Sequence, residues 1–393
     1  MNPAISLGLG PQSDFCNSFL NQSYSQGVSM PIQPRPEVQQ IIDVVHGALD
    51  FSELEAHGLT PETVIDFSVN NNPYGPSPRV REVLHTVAID RYPDREALAL
   101  RRCLAQHLGV SIDQLIVANG SMELLWFVAL AYLRPGDPVL ILEPTFGEYE
   151  RVVQFMGAQH HTYTTRPENG FAVDEAALLE TLQRLEPRLM FICNPNNPTG
   201  VHLPIEAIAD WAARHPDTLF VIDEAYLPFV SGPAPSLIGH VGPNLLVLHS
   251  LTKAHALAGI RLGYAVGTAE VITALGKVRP TWNVNAIAQA AGIVAINDVS
   301  HLTQTLAQVA ADKATLVANL EAIGLAPLPS VTHFFLCEVG PAHTLRQSLL
   351  QQGILVRDCA SFGLPHYIRI ASRRPSENDQ LICALSQAYT ARR

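Results

Sequence analysis

The chain has 393 residues, of which 47% are hydrophobic and 16% are charged, a composition typical of globular proteins. Its net charge is −11 and its basic residues form no run, which argues against nucleic acid and anionic membranes as partners. The six cysteines form neither a C-x-x-C pair nor a metal-ligand spacing, so we expect no metal site and a reducing, cytoplasmic location.

The N-terminal segment, residues 1–40, is rich in Ser, Gln, Asn and Pro and shows no hydrophobic period. A segment of this kind cannot bury enough apolar surface to offset the entropy of ordering. We therefore expect a disordered or loosely packed arm. The start of the chain lacks the pattern of a secretory signal, and no apolar run reaches the roughly 18 residues of a membrane span.

Helices and short apolar runs alternate from about residue 97 onward. Runs that do not alternate with polar residues are typical of strands covered on both faces. Alternating strands and helices predict an α/β unit around a mostly parallel sheet. The predicted strands are residues 115–117, 139–142, 189–193, 219–222 and 245–248, and the predicted helices are residues 98–108, 121–133, 174–185 and 205–214.

The pattern changes after residue 285. Helical periodicity dominates residues 286–323, and a last helical stretch covers residues 376–389. Between them lie strand-like runs at residues 332–339, 354–357 and 367–370. We expect a smaller α+β domain over residues 285–393.

A lysine follows the predicted strand 245–248, in the segment Ser250-Leu-Thr-Lys253. Open α/β sheets bind ligands at the carboxyl ends of their strands, and a lysine there can form a Schiff base with a carbonyl group. A hydroxyl at Ser250 and a guanidinium at Arg261 are suitable groups for a dianionic phosphate. Taken alone, a lysine near glycines is more simply an ordinary surface residue, so the segment makes Lys253 only a candidate for a Schiff base with a phosphorylated compound.

Two further strand ends carry groups suited to a pyridine ring. Asp223 ends a buried strand, where a carboxylate is costly unless it is paired. It either pairs with a protonated ring nitrogen or caps the next element. Tyr226 and Asn197, the latter in the rigid turn Asn194-Pro-Asn-Asn-Pro-Thr-Gly200, are expected to hydrogen-bond the ring's phenolic oxygen.

The remaining expected contacts complete a binding site for one flat, phosphorylated ring. The predicted helix that begins at Ser121 offers free N–H groups to a phosphate, and Gly120 permits close backbone approach. We assign Gly120, Ser121 and Met122 to this phosphate site. Phe146 follows the predicted strand 139–142 and is placed to stack on the ring.

Together, these motifs resemble the fold type I family of pyridoxal-5′-phosphate (PLP) enzymes, the aspartate aminotransferase superfamily, over about residues 40–393. The resemblance implies a seven-stranded large domain at residues 76–284 and a small domain built from residues 41–75 and 285–393. It also implies a homodimer with sites at the interface. By the same matching, Lys253, Asp223 and Tyr226 act in catalysis. Tyr74 is expected to bind the cofactor phosphate of the neighbouring subunit.

Within this superfamily, several stretches resemble threonine-phosphate decarboxylase of cobalamin biosynthesis. Examples are Val45-His46-Gly47, Arg91-Tyr-Pro-Asp94 and Trp282-Asn-Val-Asn285. The alternative is an aminotransferase of the histidinol-phosphate type, to which Asn72-Pro-Tyr74-Gly is more similar. We expect PLP-dependent decarboxylation of O-phospho-L-threonine to (R)-1-aminopropan-2-ol phosphate, with aminotransfer on a phosphorylated amino substrate as the alternative.

Three residues are expected to bind the substrate. The resemblance places Arg369 near the polar end of an amino acid and Arg357 at the substrate's phosphate. A guanidinium suits either anion, although Arg357 could also be an exposed strand residue. His46 either contacts the substrate or caps the turn before Gly47.

Overall fold

The computed structural model describes residues 32–41, 43–232 and 234–390 of the chain. Its α-helices are α1 (Pro36–Gln40), α2 (Phe51–Ala56), α3 (Pro78–Leu84), α4 (Leu98–Leu108), α5 (Ser121–Tyr132), α6 (Glu148–Phe155), α7 (Glu175–Leu185), α8 (Ile205–Arg214), α9 (Ala269–Val278), α10 (Ala286–Asn297), α11 (Val299–Ala322), α12 (Ala342–Leu350) and α13 (Pro375–Thr390). Its strands are β1 (Ile65–Asp66), β2 (Leu115–Ala118), β3 (Pro138–Glu143), β4 (Gln159–Thr164), β5 (Leu189–Cys193), β6 (Leu219–Asp223), β7 (Leu245–Ser250), β8 (Gly263–Val266), β9 (Phe334–Glu338), β10 (Ile354–Leu355), β11 (Arg357–Asp358) and β12 (Tyr367–Ala371).

Seven of the described strands form one sheet in the order β2-β8-β7-β6-β5-β3-β4. Only β8 runs antiparallel to its neighbours, so the prediction of a mostly parallel seven-stranded sheet is confirmed. Every residue of β2, β5 and β6 is buried. Helices cover both faces, which explains why these strands are continuous apolar runs in the sequence.

The covering helices bury one stripe each. In α8, the buried residues Ile205, Ile208, Trp211 and Ala212 recur at the three- and four-residue spacing of one helix face, and they pack on the sheet. The other side of the sheet is covered by α5, whose Leu124 and Val128 belong to a second core cluster. The carboxyl ends of β2, β3, β5, β6 and β7 therefore meet at one edge of a rigid layer.

A second unit brings the two ends of the chain together. Strands β11, β12 and β9 form an antiparallel sheet. The short strand β1, near the start of the described chain, pairs in parallel with β10 near its end. Phe67, which follows β1, packs in the same core cluster as α13. Residues 66–70 are thereby held beside β12 and its arginine.

Part of the predicted N-terminal arm is docked on the large sheet unit. Arg35 donates from Nη2 to the carbonyl oxygen of Phe155 at 3.1 Å, and its guanidinium lies 4.5 Å from the centroid of that ring. Helix α1 follows and lies against α6. Residues 1–31 of the predicted arm lie outside the described residues. Within the described part of the chain, no helix has both the length and the apolar character needed to cross a membrane.

Candidate active site

A cavity of about 530 Å³ opens at the carboxyl ends of the parallel strands and is bounded on its other side by β11 and β12. The cavity also receives residues 43–48 and 68–71 from the first part of the chain. Most of the residues expected to touch a ring or a substrate come together around it: His46, Phe146, Asn197, Tyr226, Lys253, Arg357 and Arg369.

Lys253 is partly buried in the loop that follows β7. Burial lowers the pKa of its ammonium group to about 8, and the nearby charges of Arg369 and Arg261 act in the same direction. Its Nζ lies 6.0 Å from the centroid of the Tyr226 ring. A lysine with a pKa near neutrality is available as the free amine, the form that attacks a carbonyl carbon.

Asp223 is a buried carboxylate at the end of β6. Its Oδ2 accepts a hydrogen bond from the Tyr149 hydroxyl at 3.0 Å, and its Oδ1 accepts one from the Ala225 amide at 3.0 Å. Burial raises the pKa of Asp223, and both hydrogen bonds oppose that rise. Among the described residues, no cationic side chain lies within 4.0 Å of it, so the site suits a cationic ring nitrogen as partner.

The groups expected to hold a phosphate come together at the N-terminus of α5. Gly120 has a φ of +84°, and a Cβ built on it would lie 2.8 Å from Nη2 of Arg261. Gly263 is equally tight, because its Cβ would lie 2.5 Å from the Ser121 amide nitrogen. Ser250 is the cross-strand partner of Gly263 in the pair β7–β8, so Ser250 also lies beside the N-terminus of α5. A hydroxyl, a guanidinium and free helix N–H groups, including that of Met122, fit a phosphate.

Three cavity residues carry the groups expected around a ring. Phe146 lies edge-to-face with Tyr149, with ring centroids 5.7 Å apart. Tyr226 lies edge-to-face with Phe334 at 4.9 Å, and burial raises its phenol pKa, so the hydroxyl stays a donor. The side-chain oxygen of Asn197 accepts a close hydrogen bond from Nη1 of Arg369, which leaves its NH₂ group free to donate elsewhere.

Both expected substrate arginines are buried cations that line the cavity. Nη2 of Arg357 donates to the Val45 carbonyl at 2.7 Å and to the Ser361 hydroxyl at 2.6 Å. Burial lowers the pKa of Arg357 to about 10, with Arg369 as the next cause. Burial also lowers the pKa of Arg369. Across the described ranges, neither guanidinium has a carboxylate within 4.0 Å.

His46 joins the first part of the chain to α6. Its Nε2 lies 2.8 Å from Oε1 of Glu148, a carboxylate that is 3% exposed and also contacts Arg151 at 3.3 Å. Burial tends to raise the pKa of Glu148, but the hydrogen bond from His46 and the charge of Arg151 hold it below its usual value. His46 therefore closes one wall of the cavity through a side-chain contact instead of capping its own turn.

Tyr74 lies outside the cavity in this chain. Its hydroxyl donates to Oδ2 of Asp312 in α11 at 2.6 Å, and its ring lies 5.5 Å from the guanidinium of Arg374. Burial, then the hydrogen bond with Asp312, raises the pKa of Tyr74 to about 12. The expected contact with a phosphate in a neighbouring subunit stays a prediction, and the intrachain bond is a partner that the motif does not indicate.

Sequence reasoning missed two residues that shape the site. Tyr149 holds Asp223, and Arg151 supports the wall formed by His46 and Glu148. Tyr149 lies three residues after Phe146, in the first turn of α6, and this short distance from the end of β3 is the local signal that could have pointed to it. Its partner is 74 residues away in the sequence, so the contact itself leaves no local pattern.

The chain was compared with known families and proteins. The model of the family "Aminotransferase class I and II" matches residues 62–385. Histidinol-phosphate aminotransferase from Symbiobacterium thermophilum is 37% identical over 344 residues, covering 86% of this chain and 92% of that protein. Histidinol-phosphate aminotransferase 2 from Pseudomonas fluorescens (strain Pf-5) is 34% identical, covering 90% of this chain and 96% of that protein.

Solved structures agree on the fold. Histidinol-phosphate aminotransferase from Sinorhizobium meliloti, in complex with pyridoxal-5′-phosphate, superposes with a TM-score of 0.83 at 27% identity, covering 93% of this chain and 100% of that one. L-threonine-O-3-phosphate decarboxylase from Porphyromonas gingivalis superposes with a TM-score of 0.73 at 27% identity, covering 82% and 99%. The expected fold type I architecture and its cofactor are thereby confirmed, and the chain belongs to the class I and II aminotransferase family of PLP enzymes.

Proposed function

We propose that this enzyme is an aminotransferase of the histidinol-phosphate type, which moves the amino group of a phosphorylated amine to a 2-oxo acid. The sequence motifs favour decarboxylation of O-phospho-L-threonine, with aminotransfer as the alternative. The relatives support the alternative, since those with 32–37% identity over most of the chain are named histidinol-phosphate aminotransferases.

The main support for a phosphorylated substrate is the pair of buried arginines without a carboxylate partner. A buried charge is costly unless it is paired. Arg357 and Arg369 line the same cavity as Lys253, so an anionic group of the substrate is the natural counter-charge. Guanidinium groups bind phosphate oxygens through two parallel N–H donors, which fixes the orientation of the substrate as well as its charge.

The chain's own groups have distinct tasks in this proposal. PLP, when bound, supplies an electron sink for the bond broken at the substrate's Cα. Lys253 attaches the cofactor and afterwards carries the proton from Cα, because its lowered pKa lets Nζ accept and return a proton near neutral pH. Asp223 pairs with the ring nitrogen, and Tyr226 and Asn197 donate to the phenolic oxygen. Arg357 and Arg369 orient the substrate and so select which bond is broken.

Decarboxylation remains a second candidate, supported by the structural likeness to the Porphyromonas gingivalis decarboxylase and by the quoted sequence stretches. The two reactions would differ in the substrate bond that breaks, which is Cα–H in aminotransfer and Cα–carboxylate in decarboxylation. They also differ in stoichiometry. Aminotransfer needs an acceptor for every turnover, whereas decarboxylation followed by protonation at Cα needs none.

The stoichiometry provides the test. Purified enzyme with PLP is given histidinol phosphate with and without 2-oxoglutarate, and separately O-phospho-L-threonine without an acceptor. We expect glutamate to form over many turnovers only when both histidinol phosphate and 2-oxoglutarate are present. The Lys253→Ala variant serves as the inactive control. Sustained release of CO₂ from O-phospho-L-threonine, without turnover of histidinol phosphate, would overturn the proposal in favour of the decarboxylase.

A further inference from the structure

Tyr149 lies buried between the large sheet and the candidate site. Its side chain is fully buried near the start of α6. The ring stacks on Phe191 of β5, with centroids 5.2 Å apart and an angle of 5° between the planes. It also meets the edge of Phe146 at 5.7 Å. These contacts pack the ring with its hydroxyl within hydrogen-bond distance of Asp223.

The Asp223 carboxylate is held at both oxygens. The Tyr149 hydroxyl donates to Oδ2 and the Ala225 amide donates to Oδ1, each at 3.0 Å. The amide belongs to the backbone of the turn after β6, so among substitutions of Ala225 only proline would remove it. The hydrogen bond to Oδ2 comes from the side chain of Tyr149 in α6, so a substitution of Tyr149 can remove it.

We propose that Tyr149 is a positioning residue: its hydroxyl orients the Asp223 carboxylate and favours its charged form, so that Asp223 can pair with the ring nitrogen of PLP. The proposal concerns how the chain holds its cofactor. It therefore applies to aminotransfer and to decarboxylation alike, and does not depend on the choice of substrate.

The electrostatics agree with this geometry. Burial raises the pKa of Asp223, and the bonds from Ala225 and Tyr149 oppose that rise. Burial and the charge of Asp223 raise the pKa of Tyr149 well above its usual value, so its hydroxyl remains protonated. The other titratable groups facing the carboxylate from the surrounding elements are Cys193, Tyr226, His249 and Lys253.

Removing the Tyr149 hydroxyl should change the ionisation of Asp223 in one direction. With one opposing hydrogen bond lost, the pKa of Asp223 rises further above its usual value. The carboxylate is then protonated at a higher pH than in the wild type. Since only the ionised carboxylate pairs with a protonated ring nitrogen, affinity for PLP falls, and its decline on the acid side moves to higher pH.

The experiment measures binding of PLP to the apoenzyme, apart from turnover. The dissociation constant of PLP is determined from pH 5 to pH 9 for wild type and for Tyr149→Phe, which keeps the stacked ring and removes one oxygen. We expect roughly tenfold weaker binding near neutral pH, because a hydrogen bond to a charged group is lost. Tyr163→Phe is the matched control, since the Tyr163 hydroxyl also makes one hydrogen bond, to the Asp174 carbonyl in an exposed position.

A second pair of variants separates positioning from packing. In the Asp223→Asn background no charge remains for Tyr149 to hold, so adding Tyr149→Phe should change the dissociation constant by less than twofold. Urea unfolding of each apoenzyme verifies that all variants fold. An equal loss of affinity in both backgrounds, or an acid limb that does not move in Tyr149→Phe, would overturn the proposal and leave Tyr149 a packing residue.

Discussion

Arg357 and Arg369 are direct cross-strand partners in the antiparallel pair β11–β12. Directly opposed residues project from the same face of a sheet, and like charges in that position repel. Burial lowers the pKa of both guanidiniums, and the charge of Arg369 lowers the pKa of Arg357 further. Two buried positive charges side by side repel each other, and an anion bound between them would offset this repulsion. The pair is therefore suited to bind a negatively charged substrate.

Replacing Arg357 by Gln should therefore affect recognition of phosphate. We expect kcat/KM for histidinol phosphate to fall roughly 10- to 100-fold, because a hydrogen bond to a charged group contributes about 1.5–3 kcal/mol. Activity with unphosphorylated histidinol, measured by the same steady-state assay, should change little. Arg101→Gln is the control, since Arg101 is also shielded from solvent but donates to the carbonyls of Leu115 and Ile112. Equal losses with both substrates would contradict the assignment.

The sequence predicts correctly those strands that are buried along their whole length, because their residues form a continuous apolar run. Residues 189–193 form β5 with the predicted bounds, because every residue of that strand is buried and apolar. Strand β4 was missed. It lies at the edge of the sheet, and its residues Gln159–Thr164 are polar and largely exposed, so no apolar run marks it. Strand β8 was missed because its four residues begin at the glycine of the lysine motif.

The residues of the candidate site also divide into those that local sequence reveals and those that it does not. Lys253, Asp223 and Asn197 could be found because each ends or closely follows a buried strand within a short motif. Contacts between distant segments could not be found, since they depend on how the two sheet units meet. The bond from Arg369 to Asn197 joins residues 172 positions apart, and the contact of His46 with Glu148 spans 102. Neither pairing follows from spacing or composition.

The proposed phosphate site leads to a specific prediction about Gly120. A Cβ at this position would lie 2.8 Å from Nη2 of Arg261, and the φ of +84° disfavours any other residue. We expect Gly120→Ala to weaken PLP binding by at least tenfold, an estimate based on displacing one charged donor from a phosphate. Gly109→Ala is a control for a positive φ away from the site, because Gly109 has a φ of +69° and a ψ of +29°, and no atom lies within 4 Å of a Cβ built there. Similar PLP affinities in both variants would contradict an anion site here.

Tyr74 allows its two possible roles to be separated. Tyr74→Phe and Asp312→Asn both remove the strong form of the same intrachain hydrogen bond. Each should lower the free energy of unfolding of the apoenzyme by about 1 kcal/mol, measured in urea. If Tyr74 also serves a second subunit's phosphate, Tyr74→Phe alone should weaken PLP retention. Matching PLP affinities in the two variants would show that the intrachain bond is the whole role of Tyr74.

Lys253 should make the stability of the apoenzyme depend on pH in an unusual direction. Burial lowers its pKa from 10.5 to about 8 in the folded chain. Between these two values the unfolded chain binds more protons than the folded chain, so the free energy of unfolding rises with pH. Below pH 8 the folded chain bears the full cost of the buried ammonium, roughly 3 kcal/mol from the size of the shift.

The variant Lys253→Met removes that cost together with the amine. Its apoenzyme should therefore be more stable than wild type at pH 7 by roughly 3 kcal/mol, and the difference should vanish as the pH approaches 10.5. The variant should also lose all turnover and the visible absorbance of cofactor bound covalently to the lysine. Lys277→Met, at an exposed position of α9, should show neither effect. A stability difference that stays constant from pH 7 to pH 10 would mean that Lys253 is not held as a neutralised amine, and its role as proton carrier would have to be reassigned.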